Sequence, residues 1–296
     1  KALNRARCPI YHIGNHGGFH SWILNLALQV PGVAILHDLD LRDLLLNAWG
    51  PQRFRAAIAT DYGAQAADAL CPNGAPPTPR RLRAFDGRHV GLRIIAEASL
   101  AIVVHSAFAR SVVEAMTDAP VVVTPLAFAL NADAPPPAPP LKPPLRIVAF
   151  DHATMDRGLF ELLSAMAAVG DGGAFTLDVI GESPHWPRFW RRVRELGLGL
   201  GPPGRCVRHA GPLSLPETES LLRQADLAYN VRPRTLGESS GALLDVWASG
   251  RACIVADADA FADLPRDCVL HLPVRDGRLN PDDLKRLLQT IADAPN

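Results

Sequence analysis

The stretch "RPRTLGESSGALLDVWASGRACIVADADAF", Arg232 to Phe261, gathers residues able to hold an anion at the entrance of one helix. A polar turn containing Gly237 and Gly241 precedes an apolar helical run, Gly250 closes that run, and "ACIVA" follows as a buried strand. Glycines permit close backbone approach, and a helix that begins here leaves its first N–H groups without an intrahelical acceptor. Such amides, at the positive end of a helix dipole, bind anions. Arg232 and Arg234 stand just upstream, where guanidinium groups could bond phosphate oxygens. Two readings of the turn stand side by side. One is a diphosphate cradle with the Glu238 carboxylate beside it; the other is an ordinary N-cap, with Ser239 or Ser240 closing the helix and Glu238 complementing the dipole.

Histidines supply the second chemistry. "VAILHDLDLRDLLL" puts His37 and Asp38 at the end of an apolar strand. An imidazole titrating at about 6.5 suits proton transfer near neutral pH, although a strand-end histidine bonded to backbone fits the same position. "GNHGGFHSW" is another glycine turn opening a helix. His16 and His20 stand four apart, but Gly17 and Gly18 between them argue against a helical metal pair, and no clustered Cys or Glu supplies further ligands. No metal site is expected. Ser106 reads as a helix cap, Arg110 as a solvated helix residue, and Trp186 with Trp190 as packing rather than a sugar platform.

These residues need elements to hold them. Short apolar runs at 33–38, 100–106, 120–125, 146–150 and 175–181 read as strands, with "RCVRHAG", "DLAYNV" and "ACIVA" after them. Helical spacing marks "SWILNLALQV", "DLLLNAWG", "VGLRIIAEA", 158–169, "SPHWPRFWRRVREL", "PETESLLRQA", "SGALLDVWASG" and "PDDLKRLLQTIAD". Strand–helix alternation predicts an α/β protein with parallel sheets covered by helices on both faces. "NADAPPPAPPLKPPLR" cannot sustain a helix or a central strand, which predicts a semi-rigid linker at 134–145 between domains at 1–133 and 146–296. Ligands of such folds bind outside the carboxyl ends of strands, here expected in a cleft between the domains. Zero net charge excludes a global pull toward nucleic acid or an anionic surface. Five scattered cysteines fit reduced thiols in a cytoplasmic compartment, and the apolar runs are far shorter than the roughly 20 residues of a membrane span.

The turn at 232–261, together with "LHDL", "AIVVHSAFAR", "VIGE", "HAGPLS", "LLRQADLAYNV" and "FADLP" in that order, resembles family 4 of the retaining glycosyltransferases, which have the GT-B fold. The likeness runs from about residue 8 to about 275; Pro233 is displaced by one place and Arg234 is extra. It implies two Rossmann-like domains facing a cleft, the first lacking its opening strands as in an N-terminally truncated fragment. It also implies a nucleoside diphosphate sugar bound mainly after the linker. Glu238 then lies near the donor sugar and phosphates as a catalytic residue, with Arg232, Ser239, Ser240 and Gly241 around the diphosphate. Asp245 replaces the glutamate that grips the nucleotide ribose. Arg157 stands where a lysine neutralises the diphosphate, and His152 where an arginine is expected, unless it is a loop histidine without a ligand. On the acceptor side the resemblance implies a catalytic His37 with Asp38, Asn15, Gly17 and His20.

The implied reaction moves the sugar to a hydroxyl acceptor (a glycan, a lipid-linked sugar or a small molecule) with retention, without metal or cofactor. The protein would be cytoplasmic and, given a lipid-linked acceptor, peripheral to the inner face of the cytoplasmic membrane. Two alternatives share the residues: a sugar-nucleotide-binding protein without catalysis, signalled by His152 and Asp245, and a GT-B-fold sugar-nucleotide epimerase.

Overall fold

The computed structural model describes residues 8–85, 87–127, 142–149, 158–169, 173–183, 185–199, 207–235 and 237–293. The chain divides into two compact units, Lys1–Leu126 with Leu236–Ser239, and Ala127–Thr235 with Ser240–Asn296.

In the first unit, β1 (Ile10–Ile13), β2 (Val33–Leu36), β3 (Ala101–Val104) and β4 (Val121–Val123) form a parallel sheet in that order. The helices are α1 (Gly17–Ala27), α2 (Arg42–Tyr62), α3 (Ala64–Leu70), α4 (Pro79–Ala84), α5 (Leu92–Ala98) and α6 (Ala107–Glu114). In α2 the backbone leaves helical geometry at Gly50 (φ 73°), just where "DLLLNAWG" was expected to stop, and Pro51 starts a second helical piece. Tyr11, Ile13, Ala34, Leu36, Ile102 and Val104 point to one side and pack with Leu24, Leu44, Phe54, Ile58, Leu92 and Val113. The alternate residues Val33, Ile35, Ala101 and Val103 are only half-buried, and Ile10 is 62% exposed. Runs such as "VAIL" and "AIVV" carry no polar alternation, so the sequence could not distinguish this from burial on both faces.

The second unit has the order β11-β10-β9-β8-β5-β6-β7. Its strands are β5 (Leu145–Ala149), β6 (Phe175–Ile180), β7 (Val207–Gly211), β8 (Leu227–Asn230), β9 (Ala252–Asp257), β10 (Val269–Arg275) and β11 (Arg278–Leu279). Among the described residues only the β10–β11 pair is antiparallel. On one face α7 (Leu159–Ala167), α8 (Trp186–Glu195) and α11 (Pro281–Asp293) pack against Ile147, Phe175, Leu177, Tyr229 and Ile254. On the other, α9 (Leu215–Arg223) and α10 (Gly241–Ala248) cover Val148, Ile180, Ala228, Cys253 and Val255. This unit is doubly wound, as expected from the alternation. Inside it, the buried Asp178 carboxylate bridges Arg146 (2.5 Å) and Arg208 (3.5 Å) across neighbouring strands.

Candidate functional site

The strand order of the second sheet reverses between β5 and β8, and crevices of such sheets lie outside the carboxyl ends of the strands at that point. β8 ends there at Asn230, and α10, which follows it, starts with Ser240 as its N-cap. Asn230, Arg232 and Ser240 are all buried. Ser240 Oγ accepts from Asn230 Nδ2 (3.1 Å), the Leu243 amide (3.2 Å) and an Arg232 terminal nitrogen (3.3 Å). A hydroxyl has two acceptor lone pairs, so three donors share it, and all three contacts are longer than an optimal bond. The Arg232 guanidinium is steadied from another side by the Phe261 ring, 5.6 Å from its centroid.

The turn supplies a helix cap. Ser240, not Ser239, is the cap. Ahead of the capped Leu243 amide, those of Gly241 and Ala242 precede the first intrahelical acceptor. Gly241 is exposed, and a Cβ added to it would meet nothing within 4 Å. Donors and open space coincide at this corner. Asp245, four residues on, shares a helix face with Gly241. It is half-buried, and burial first, then the Glu219 charge, raises its carboxyl above the usual range.

The rest of the motif is distributed differently from the expectation. Gly237, Glu238 and Ser239 group with the first unit, Arg232, Arg234, Ser240 and Gly241 with the second. Gly237 has φ +80°, and a Cβ there would come within 2.4 Å of the Leu39 side chain, so glycine is required twice over. Glu238 and Ser239 are half-buried. The Arg234 stem occupies the space a Cβ at Gly277 would need, over the β10–β11 turn. His152 and Arg157 lie outside the described residues.

In the first unit, His37 follows β2 directly, and its amide donates to Ile13 O (2.8 Å). Its ring lies between two others. Nε2 is 3.0 Å from His12 Nδ1, Nδ1 is 3.3 Å from His105 Nε2, and His105 Nδ1 is 2.8 Å from the Thr124 carbonyl oxygen. The rings stack at 5.3 and 5.2 Å with interplanar angles of 17° and 25°. Partial burial, then His105, His12 and His20, lowers the His37 pKa to about 4, so the ring is neutral at neutral pH. For the catalytic role expected of His37, the geometry adds one condition: both ring nitrogens already face imidazoles.

The other residues expected on the acceptor side also have structural partners. Asn15 Oδ1 accepts from the Asp43 and Leu44 amides (2.9 and 3.1 Å), capping α2 from outside, while the Asn15 amide donates to Asp38 Oδ2 (2.6 Å). Gly17 is small because a Cβ would lie 2.3 Å from the Asn47 side chain, so it permits close packing of α1 on α2. His20 Nδ1 lies 3.0 Å from His12 O. Sequence reasoning missed Asn230, His12 and His105. The available signal was positional: "VVHS" repeats after β3 the strand-then-histidine order of "AILHD" after β2. Among the described residues no group of three or more His, Cys, Asp or Glu is placed to hold a metal ion, and no helix is long and apolar enough to cross a membrane.

No protein-family model and no curated protein matches the chain. Solved structures do. Sucrose-phosphate synthase from Thermosynechococcus elongatus is similar at 16% identity and TM-score 0.61, over 97% of this chain and 65% of that one. WaaG, a glycosyltransferase involved in lipopolysaccharide biosynthesis, is similar at 11% identity and TM-score 0.57, over 99% of this chain and 70% of WaaG. Anabaena HepE in complex with UDP and glucose is similar at 13% identity and TM-score 0.54, over 92% of this chain and 71% of HepE. The chain spans about two-thirds of the length of these structures and shares the fold of GT-B glycosyltransferases, with Rossmann-like α/β units.

Proposed function

We propose that the protein is a glycosyltransferase that moves a sugar from a nucleoside diphosphate sugar to a hydroxyl acceptor. The observation that carries this is the corner where the second sheet reverses its order. There Asn230, Arg232 and the first amides of α10 gather donors around Ser240, beside the open position at Gly241. Preorganised N–H donors and a fixed guanidinium stabilise a leaving diphosphate without a metal ion. Asp245, one turn along the same helix face, is the candidate ribose acceptor, and Glu238 the carboxylate assigned to the donor sugar. The fold supports the reading, as does a HepE structure that holds UDP and glucose.

The finer proposal is retention at the anomeric carbon, in the manner of family 4. Hydrolytic schemes with two carboxyl groups across the sugar would call for a second acidic group partnering Glu238. A donor screen by thermal shift, followed by turnover with and without EDTA and anomer assignment by NMR, tests the proposal. A ligand that binds only the native state at 100 times its Kd adds about 2.7 kcal/mol of stability. Expected are stabilisation by a nucleoside diphosphate sugar, slow donor hydrolysis that survives EDTA, and a retained anomer in the transfer product. Binding without any turnover would favour the binding-protein alternative, and donor conversion without acceptor the epimerase.

A further inference from the structure

The three imidazoles of the first unit have a direction. A carbonyl oxygen has no proton to give, so in the contact with Thr124 O the donor is His105 Nδ1–H. A neutral imidazole carries one N–H, so His105 Nε2 is an acceptor, and the proton in its contact with His37 belongs to His37 Nδ1. His37 Nε2 is then the acceptor for His12 Nδ1–H. One backbone carbonyl thus sets the Nδ1–H tautomer in three rings at the carboxyl ends of β1, β2 and β3. The basic lone pair at the end of the line is on Nε2 of His12, an exposed residue.

We infer that His12 Nε2, rather than His37, is the proton-accepting atom of the first unit, with His37 and His105 behind it as a relay of fixed polarity. A proton leaving a hydroxyl bonds to His12 Nε2, while the hydroxyl oxygen keeps the electron pair of its broken O–H bond. The His12 Nδ1 proton passes to His37 Nε2 and the His37 Nδ1 proton to His105 Nε2. The positive charge then rests on His105, whose Nδ1–H still faces the Thr124 carbonyl. No co-reactant is needed. Ring separations of 5.2 and 5.3 Å mean that a first charge opposes a second, so the line holds one extra proton. Among the described residues, His20 of α1 and Asp38 after β2 also face it. A Cβ on Gly14 would meet Asp38 Oδ2 at 3.1 Å, His20 Nε2 at 3.3 Å and His37 Cβ at 3.6 Å. Asp43 of α2 lies beyond them, bonded to Asn15.

The identity of the hydroxyl rests on the transferase reading; the polarity of the relay does not. Long-range 1H–15N NMR of the imidazoles, on the full chain without substrate, reads the tautomers directly. Expected at pH 7.5 is the Nδ1–H form at His12, His37 and His105. His105→Phe, which removes the acceptor of the His37 Nδ1 proton, should release His37 and His12 toward the Nε2–H form that free imidazole prefers. An Nε2–H tautomer at His37 in the parent protein, or tautomers unmoved by His105→Phe, overturns the relay. In a transfer assay His12→Gln should lower kcat about 100-fold with the donor KM unchanged, the scale of a lost general base. Unchanged kcat removes His12 as the proton acceptor. Ordered tautomers with no transfer from any donor keep the relay and count against the transferase reading alone.

Discussion

Ser240→Ala removes a single oxygen that three donors share. Two losses add. The Leu243 amide loses its cap, which costs about 1 kcal/mol. The Asn230 side-chain amide, buried at 4% exposure, stays in place without this acceptor, at about 1–3 kcal/mol. Arg232 keeps the Phe261 ring, so its share is small. The sum is about 2–4 kcal/mol, a large fraction of the roughly 5–15 kcal/mol that separates folded from unfolded domains. Urea unfolding at constant m should show the midpoint falling by about 1–2 M. Hydrogen exchange gives the local view, with protection of the Leu243 amide falling first. Ser240→Thr retains the oxygen and should stay within about 1 kcal/mol of the parent. An alanine variant within about 0.5 kcal/mol of the parent, with Leu243 still protected, would refute the shared-acceptor account of this corner and weaken the donor-site assignment built on it.

Three further outcomes are expected. Gly237→Ala forces a side chain into left-handed backbone and against Leu39, costing about 2–4 kcal/mol in chemical denaturation; a neutral effect would show that the turn relaxes easily. The His37 pKa of about 4 lies below its unfolded value of about 6.5, so the unfolded chain binds more protons between these pH values. Its stabilising contribution is therefore complete above about pH 6.5 and lost as pH falls through about 4. The full gap corresponds to roughly 3 kcal/mol; half exposure reduces this to about 1–2 kcal/mol, visible as a steeper acid loss in the parent than in His37→Gln, and equal slopes would contradict it. Asp245→Asn should weaken nucleotide binding about 10- to 100-fold in calorimetry by replacing a charged acceptor, while leaving the thermal midpoint of the free protein unharmed because the raised carboxyl already faces Glu219; unchanged affinity would remove Asp245 from the ribose role.

The buried strands were legible because each is a short apolar run between breakers, as in "RIVAF" and "ACIVA". β1 was not: "IYHI" is four residues long, with His12 on its exposed side, too short to establish a period. β10 was hidden by Pro273, which removes a donor yet sits in register with Asp257 near the strand end. In the donor corner, Arg232, Ser240 and Gly241 share one segment and could be read as a unit. Asn230 joins them only because β8 ends beside the start of α10. The histidine line is assembled by strand pairing from residues 25 and 68 positions apart, and no local pattern encodes such a contact. Asn15 illustrates the converse, since a polar residue in a glycine turn looks like a ligand-binding group until the helix it caps, 28 residues away, is in place.

The two sheets should also tolerate sequence drift on different schedules. In β2 and β3 buried and half-buried positions alternate, whereas β6 and β8 are buried at nearly every position. A saturation scan would then draw a comb through 33–36 and 101–104, accepting polar residues at every second tooth, and a solid block through 177–180 and 227–230 that tolerates polar groups only where Asp178 and Asn230 have buried partners.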